Sequence, residues 1–155
     1  IVISDSERSL AFYRDLLGMR VVSDREHRVA PSTMHADPDN ATRRRVVQLT
    51  WGGTGNDPDA PFLVLSAFPV ASGGALKLDQ VGIHHIALWV NGLHDTAATL
   101  AAAGVRFVME PTEVDARGYG GQKGETVLTC LFEDPDGIVV QLDERLGRQM
   151  LAPGH

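Results

Sequence analysis

The chain has 155 residues, 43% of them apolar and 22% charged, with a formal net charge of −6 and a single cysteine. That describes one ordinary globular domain or two very small ones, and the acidic balance supplies no basic stripe for a nucleic acid. The lone Cys130 excludes an intrachain disulfide and reads as a buried inert thiol; no apolar run approaches the roughly 18 residues of a membrane span, and with no secretion signal visible the expected compartment is cytoplasmic.

Ile1-Val2-Ile3 reads as the second half of a strand. Ser4 and Glu7 fit a capping box, with Asp5 and Ser6 as alternative caps. Leu10, Tyr13 and Leu17 recur at helical spacing, Phe12 and Leu16 widen the stripe, and Gly18 closes the helix. Residues 19–22 read as a strand, and the polar stretch 23–44 as a long loop that could act as a lid. Two strands, Arg45 to Trp51 and Phe62 to Phe68, enclose a turn-rich loop from Gly52 to Asp59.

The same order then repeats. His85 to Val90 is a strand, and Leu93, Ala97, Leu100 and Ala101 form a helical stripe closed by Gly104. Val105 to Val108 is a strand, Glu110 to Glu125 a Gly-rich loop, and Thr126 to Phe132 with Ile138 to Leu142 a hairpin. This predicts an α+β fold of two tandem βαβββ modules, 1–69 and 81–146, joined by a small-residue linker at 70–80 and followed by a tail at 147–155. One helix covers only one face of a four-stranded sheet. Two such modules are therefore expected to build a curved, barrel-like mixed sheet around a central cleft suited to a small-molecule ligand.

The hairpin turn is Asp134-Pro135-Asp136-Gly137, in which Pro135 presets φ and Gly137 supplies the freedom to leave the turn. Gln141 interrupts the apolar run that follows and shares a strand face with Val139 and Asp143. Trp89 shares the face of His85, so its ring is expected to line the cleft, with Trp51 and Phe62 as candidate partners. Tyr119, set among glycines, is a candidate cap on the cleft, and Gln48 a candidate inward polar group. His84 lies on the opposite face from His85 and reads as a packed or solvent-touching residue. His27 and His35 sit in the long loop, and Arg43-Arg44-Arg45 reads equally as an anion clamp or a charged start to a strand.

Residues 9–19 (Ser-Leu-Ala-Phe-Tyr-Arg-Asp-Leu-Leu-Gly-Met), His85-Ile86-Ala87-Leu88, residues 103–107 and Phe132-Glu133-Asp134-Pro135-Asp136-Gly137 together resemble the vicinal oxygen chelate superfamily. That group includes glyoxalase I, bleomycin-resistance proteins and extradiol dioxygenases. The resemblance spans nearly the whole chain and is specific for fold rather than reaction. It implies four inward metal ligands. The first falls three residues before Ile1; the second maps to Val64, which cannot ligate; the third to His85; and the fourth, usually Glu, to Gln141.

His85 and Gln141 are thus the expected catalytic and metal-ligating pair, with Trp89, Tyr119, Gln48 and Val64 as substrate-binding positions. A divalent ion (Fe, Zn, Ni or Mn) held there, or none, are both open, because two His and a Gln make a neutral site. The first reading is a glyoxalase/dioxygenase-like enzyme acting on a small molecule with vicinal oxygens in the cleft, with or without metal assistance. The alternative is a metal-free small-molecule binder of the bleomycin-resistance type, or a metal-free enzyme of secondary metabolism. The resemblance also implies a homodimer.

Overall fold

A computed structural model of the chain describes residues 1–28, 43–51, 60–69, 73–77 and 79–146. The chain divides into two units, Ile1–Gly74 and Ala75–His155. The fold is α+β, and each unit is a βαβββ module. The first module contains β1 (Val2–Ile3), α1 (Ser6–Leu10), β2 (Arg20–His27), β3 (Arg44–Thr50) and β4 (Phe62–Ala67). The second contains β5 (His85–Trp89), α2 (Leu93–Ala102), β6 (Phe107–Asp115), β7 (Thr126–Glu133) and β8 (Val139–Arg145). The strand orders are β1-β4-β3-β2 and β5-β8-β7-β6, the same topology twice, in two four-stranded mixed sheets. In each, the first strand runs parallel to the last and the remaining pairs are antiparallel.

Of the candidate caps, Asp5 starts α1: its Oδ1 accepts the Arg8 backbone N–H at 2.9 Å. The helix then widens into a π-type turn over Ala11–Leu16, in which Leu17 N donates to Phe12 O at 3.0 Å, and Gly18 leaves it at φ 71°. Leu10, Tyr13 and Leu17 are buried together with Ile3, Val47, Leu49 and Leu65 of the sheet. Arg45, on the same strand face as Val47 and Leu49, bonds Glu7 of α1 at 2.6 Å, which identifies that face as the helix side. Val46, Gln48 and Thr50 therefore occupy the face that α1 leaves open.

Arg45 also grips Asp24 of β2 with two bonds, of 2.9 and 2.6 Å. This hydrogen bonding holds the Asp24 carboxyl below its ordinary value, while desolvation opposes the shift. A carboxyl depressed in the folded state stabilises the fold above its unfolded value and loses that contribution as pH falls through its folded value. Acid melts of the first module are expected to show a loss below about pH 4, small because the pair is partly exposed and worth under about 1 kcal/mol. Arg45→Gln should remove that pH-dependent component, and an unchanged acid limb in the variant would assign it elsewhere.

In the second module α2 packs across β6, β7 and β8. Its N-cap is Gly92, at φ 70°, which brings no side chain. Glu144 of β8 supplies the acceptors instead, taking the Gly92 and Leu93 N–H groups at 2.8 and 2.9 Å. The even-numbered face of β8 is thus the helix side, where Val140 and Leu142 are buried with Leu128, Cys130 and Phe132 of β7 and with Leu93, Ala97 and Leu100 of α2. Burial pushes the Cys130 thiol up to about 11. Iodoacetamide at neutral pH is expected to leave the folded protein unmodified and to label it fully in denaturant, as read by mass spectrometry. Labelling of the native thiol at the rate of the denatured one would contradict this packing.

Two stretches read as loop are strand. Ser23 to His27 continue β2, an edge strand whose backbone pairs with Arg44–Gln48 while its charged side chains stay in water. Residues 110–115 continue β6, another edge strand, and bulges between Phe107 and Thr112 accommodate Pro111. A short 3₁₀ turn, Ala116–Tyr119, follows. Polarity, proline and glycine conceal strands that carry no alternating apolar face. The expected loop at 52–59, His35 with most of the first long loop, and the tail at 147–155 lie outside the described residues.

Candidate functional site

The sheet face of the second module opposite α2 carries the candidate site. Alternation along β8 places Val139, Gln141, Asp143 and Arg145 on it. The parallel register of β5 sets His85 beside Val139, Ala87 beside Gln141 and Trp89 beside Asp143. The antiparallel register of β7 sets Leu131 opposite Gln141 and Thr129 opposite Asp143. The 3₁₀ turn brings Tyr119 to the same group. It is entered through Asp115, whose Oδ1 accepts the Arg117 N–H at 2.8 Å, and left through Gly120 at φ 74°.

Gln141 is the hub. Its Nε2 lies 2.9 and 3.0 Å from the two carboxylate oxygens of Asp143 and 3.1 Å from the Tyr119 hydroxyl. The amide nitrogen donates to all of these, so the Tyr119 hydroxyl keeps its own proton for another acceptor. Tyr119 meets the Trp89 ring edge-on, at 5.8 Å between centroids. The Arg145 guanidinium lies over Trp89 at 4.8 Å and donates from Nη2 to the Tyr119 carbonyl at 3.1 Å. Five side chains from β5, β8 and one turn therefore form a single connected cluster, half-buried except for the buried Asp143.

His85 lies on the same face but outside this cluster. It is exposed, and its Nδ1 sits 3.1 Å from Nδ1 of half-buried His84. One of those nitrogens carries the shared proton, which leaves Nε2 of His85 uncommitted by that contact. Gln48 and Val64 belong to the first module, where they are direct cross-strand partners on the open face. Val64 of β4 holds the place in the first module that Gln141 of β8 holds in the second. Trp89 finds its ring partners in Tyr119 and Arg145. Arg45 of the triple-arginine run is committed to Asp24 and Glu7, and Arg44 reaches the Ser66 hydroxyl at 3.4 Å.

The donor set expected for a metal is weak among the described residues. His85 and Gln141 offer two neutral groups, Gln141 has turned its amide nitrogen towards Asp143, and Val64 has no donor atom. Among the described residues no group of three or more His, Cys, Asp or Glu side chains converges. Sequence reasoning puts Asp143 on the right face but misses Thr129 and Arg145. The signal for Arg145 was the continuing alternation after Gln141. Thr129 needed the strand register, which no local pattern supplies.

Comparison with known proteins agrees with this architecture. Over 143 residues the chain is 27% identical to a "Probable lactoylglutathione lyase" of Synechocystis sp., covering 92% of this chain and 88% of that protein. It is 24% identical over 143 residues to a protein of the same description from Vibrio parahaemolyticus, with 90% and 83% covered. A glyoxalase family protein from Bacillus cereus superposes with a TM-score of 0.69 at 16% identity, over 95% of this chain and 91% of that one, a likeness of fold. The family model described as the Glyoxalase/Bleomycin resistance protein/Dioxygenase superfamily matches residues 1–142, and the chain belongs to that superfamily.

Proposed function

We propose that the protein is a glyoxalase-type enzyme, a lyase or isomerase, that binds a small molecule with vicinal oxygens on the open face of the second sheet. The observation that carries this reading is the Gln141 hub, which presents a free phenolic proton at Tyr119 beside the aromatic wall of Trp89. A substrate oxygen accepts the Tyr119 proton in a hydrogen bond, and the Gln141 carbonyl accepts from a substrate hydroxyl. Trp89 packs against the carbon skeleton. His85, on the same face, exchanges the proton, the usual imidazole role near neutral pH. The curated relatives, described as probable lactoylglutathione lyases, make lactoylglutathione the first compound to test. A homodimer belongs to the same proposal and is read by light scattering.

Turnover is followed in the favoured direction, as the gain of thioester absorbance when glutathione and methylglyoxal, the thiol and 2-oxoaldehyde whose adduct isomerises to lactoylglutathione, are supplied. His85→Ala is expected to lower kcat by about 10²-fold or more while circular dichroism stays native, as for loss of a general acid–base group. Unchanged turnover in that variant removes His85 from the reaction.

One observation favours a second reading, metal-free sequestration. The Arg145–Trp89–Tyr119 stack is an aromatic and cationic wall that suits binding as well as turnover. Saturable binding of a ligand that is recovered chemically unchanged after prolonged incubation would select it.

A further inference from the structure

We propose that Asp143 and Thr129 form a buried ammonium subsite on the face of the second sheet opposite α2, so that the ligand carries a protonated amine. This rests on the proposed function only for placing the ligand on that face.

Asp143 is 3% exposed, and its side-chain hydrogen bonds come from one neutral amide nitrogen, Nε2 of Gln141. Among the described residues it has no cation within ion-pair distance. Arg145, two residues along the same face, is the nearest candidate in sequence, but its guanidinium is directed to the Trp89 ring and the Tyr119 carbonyl. A carboxylate has about four lone-pair directions for donors, and one amide leaves several of them open. A buried charge without a counter-charge is unfavourable, and a cationic donor is the chemistry that relieves it.

Thr129 points independently to the same place. It is 2% exposed, it stands directly opposite Asp143 in the β7–β8 register, and its hydroxyl has no hydrogen-bond partner. An orphaned buried hydroxyl beside an uncompensated buried carboxylate has the donor–acceptor pattern that a primary ammonium fills. One N–H goes to a carboxylate oxygen, a second to the Thr129 oxygen, and the charge faces the carboxylate. Trp89, on the other side of Asp143 in register, is an aromatic surface suited to the carbon next to the nitrogen. A carboxylate or phosphate ligand would meet repulsion from Asp143, and a neutral alcohol would leave its charge uncompensated.

The test compares three probes that share one ring: benzylammonium, benzyl alcohol and benzoate. Each is titrated into the full chain and followed by shifts of the Gln141 side-chain amide and the Trp89 indole N–H in ¹⁵N–¹H spectra. Benzylammonium is expected to bind about tenfold or more tighter than benzyl alcohol, the increment of a charge-assisted hydrogen bond over a neutral one, with benzoate weakest. Asp143→Asn should bring the amine-to-alcohol ratio to about one and leave benzyl alcohol affinity in place. Thr129→Val, close in shape, should weaken benzylammonium alone, and it tests the subsite if the Asn variant does not fold. Equal affinities in the native protein, tight benzoate binding, an Asn variant that keeps the preference, or no binding of any probe would each overturn the subsite. Absent lactoylglutathione turnover counts against the enzymatic reading and leaves the amine preference standing, so the two failures are distinguishable.

Discussion

Phe132→Ala is expected to destabilise the second module by about 3–5 kcal/mol, the range for deleting a fully buried aromatic side chain. Phe132 has no exposed surface and meets Phe107 edge-to-face, at 5.7 Å between centroids and 64° between planes. It lies on the helix side of β7, in the layer of Val140 and Leu142, so the vacated volume sits between sheet and α2. The loss approaches half of what a small domain usually has. Urea denaturation should show a lower midpoint with an unchanged slope. A loss under about 1 kcal/mol would mean that the layer collapses onto the gap and that this core is far more plastic than its burial implies.

Asp134→Ala has the second largest expected effect, about 2–4 kcal/mol, because a charged acceptor is withdrawn from two backbone donors at once. Asp134 is buried, and its Oδ1 accepts the N–H groups of Asp136 and Ile138 at 2.9 and 2.8 Å. The backbone closes the same turn, with Asp134 N donating to Ile138 O at 2.8 Å and Gly137 N to Asp134 O at 2.9 Å. Gly137 holds φ 80°, which an L side chain rarely adopts. Asp134→Asn keeps an acceptor oxygen and should lose only about half as much. Hydrogen exchange at Asp136 and Ile138 reads the turn directly, and in the Ala variant it should rise there before it rises in β7. Protection that stays native in the Ala variant would show that the backbone bonds hold the turn alone.

The turn was legible in the sequence because each of its residues is chosen by local backbone geometry, and so was the duplication, because helix-ending Gly18 and Gly104 recur in the same order of elements. Both glycines have positive φ, 71° and 77°. The later halves of the two edge strands were not legible, since there β2 and β6 are held by backbone pairing and present charged or proline-containing segments to water. The site divides the same way. Alternation along one strand gave the shared face of Gln141 and Asp143, and the common face of His85 and Trp89. The contact between Gln141 and Tyr119 spans 22 residues and depends on how a 3₁₀ turn leaves β6. The Glu144 cap on α2 spans about fifty residues and replaces a local signal missing at Gly92. Long-range contacts of this kind are encoded in register, which a single sequence shows only after the strands are paired.

β8 is read from both sides: Gln141 and Asp143 look one way, while Glu144 and Leu142 look the other. A one-residue slip exchanges every one of these assignments at once. If the proposed site holds, exchanging side chains at 141 and 143 changes what the face accepts and leaves the helix cap in place, whereas an insertion or deletion between Gly137 and Glu144 would uncap the helix in the same stroke. Evolution of new specificity in this half of the chain should accordingly be written in substitutions, with the spacing from turn to cap kept constant.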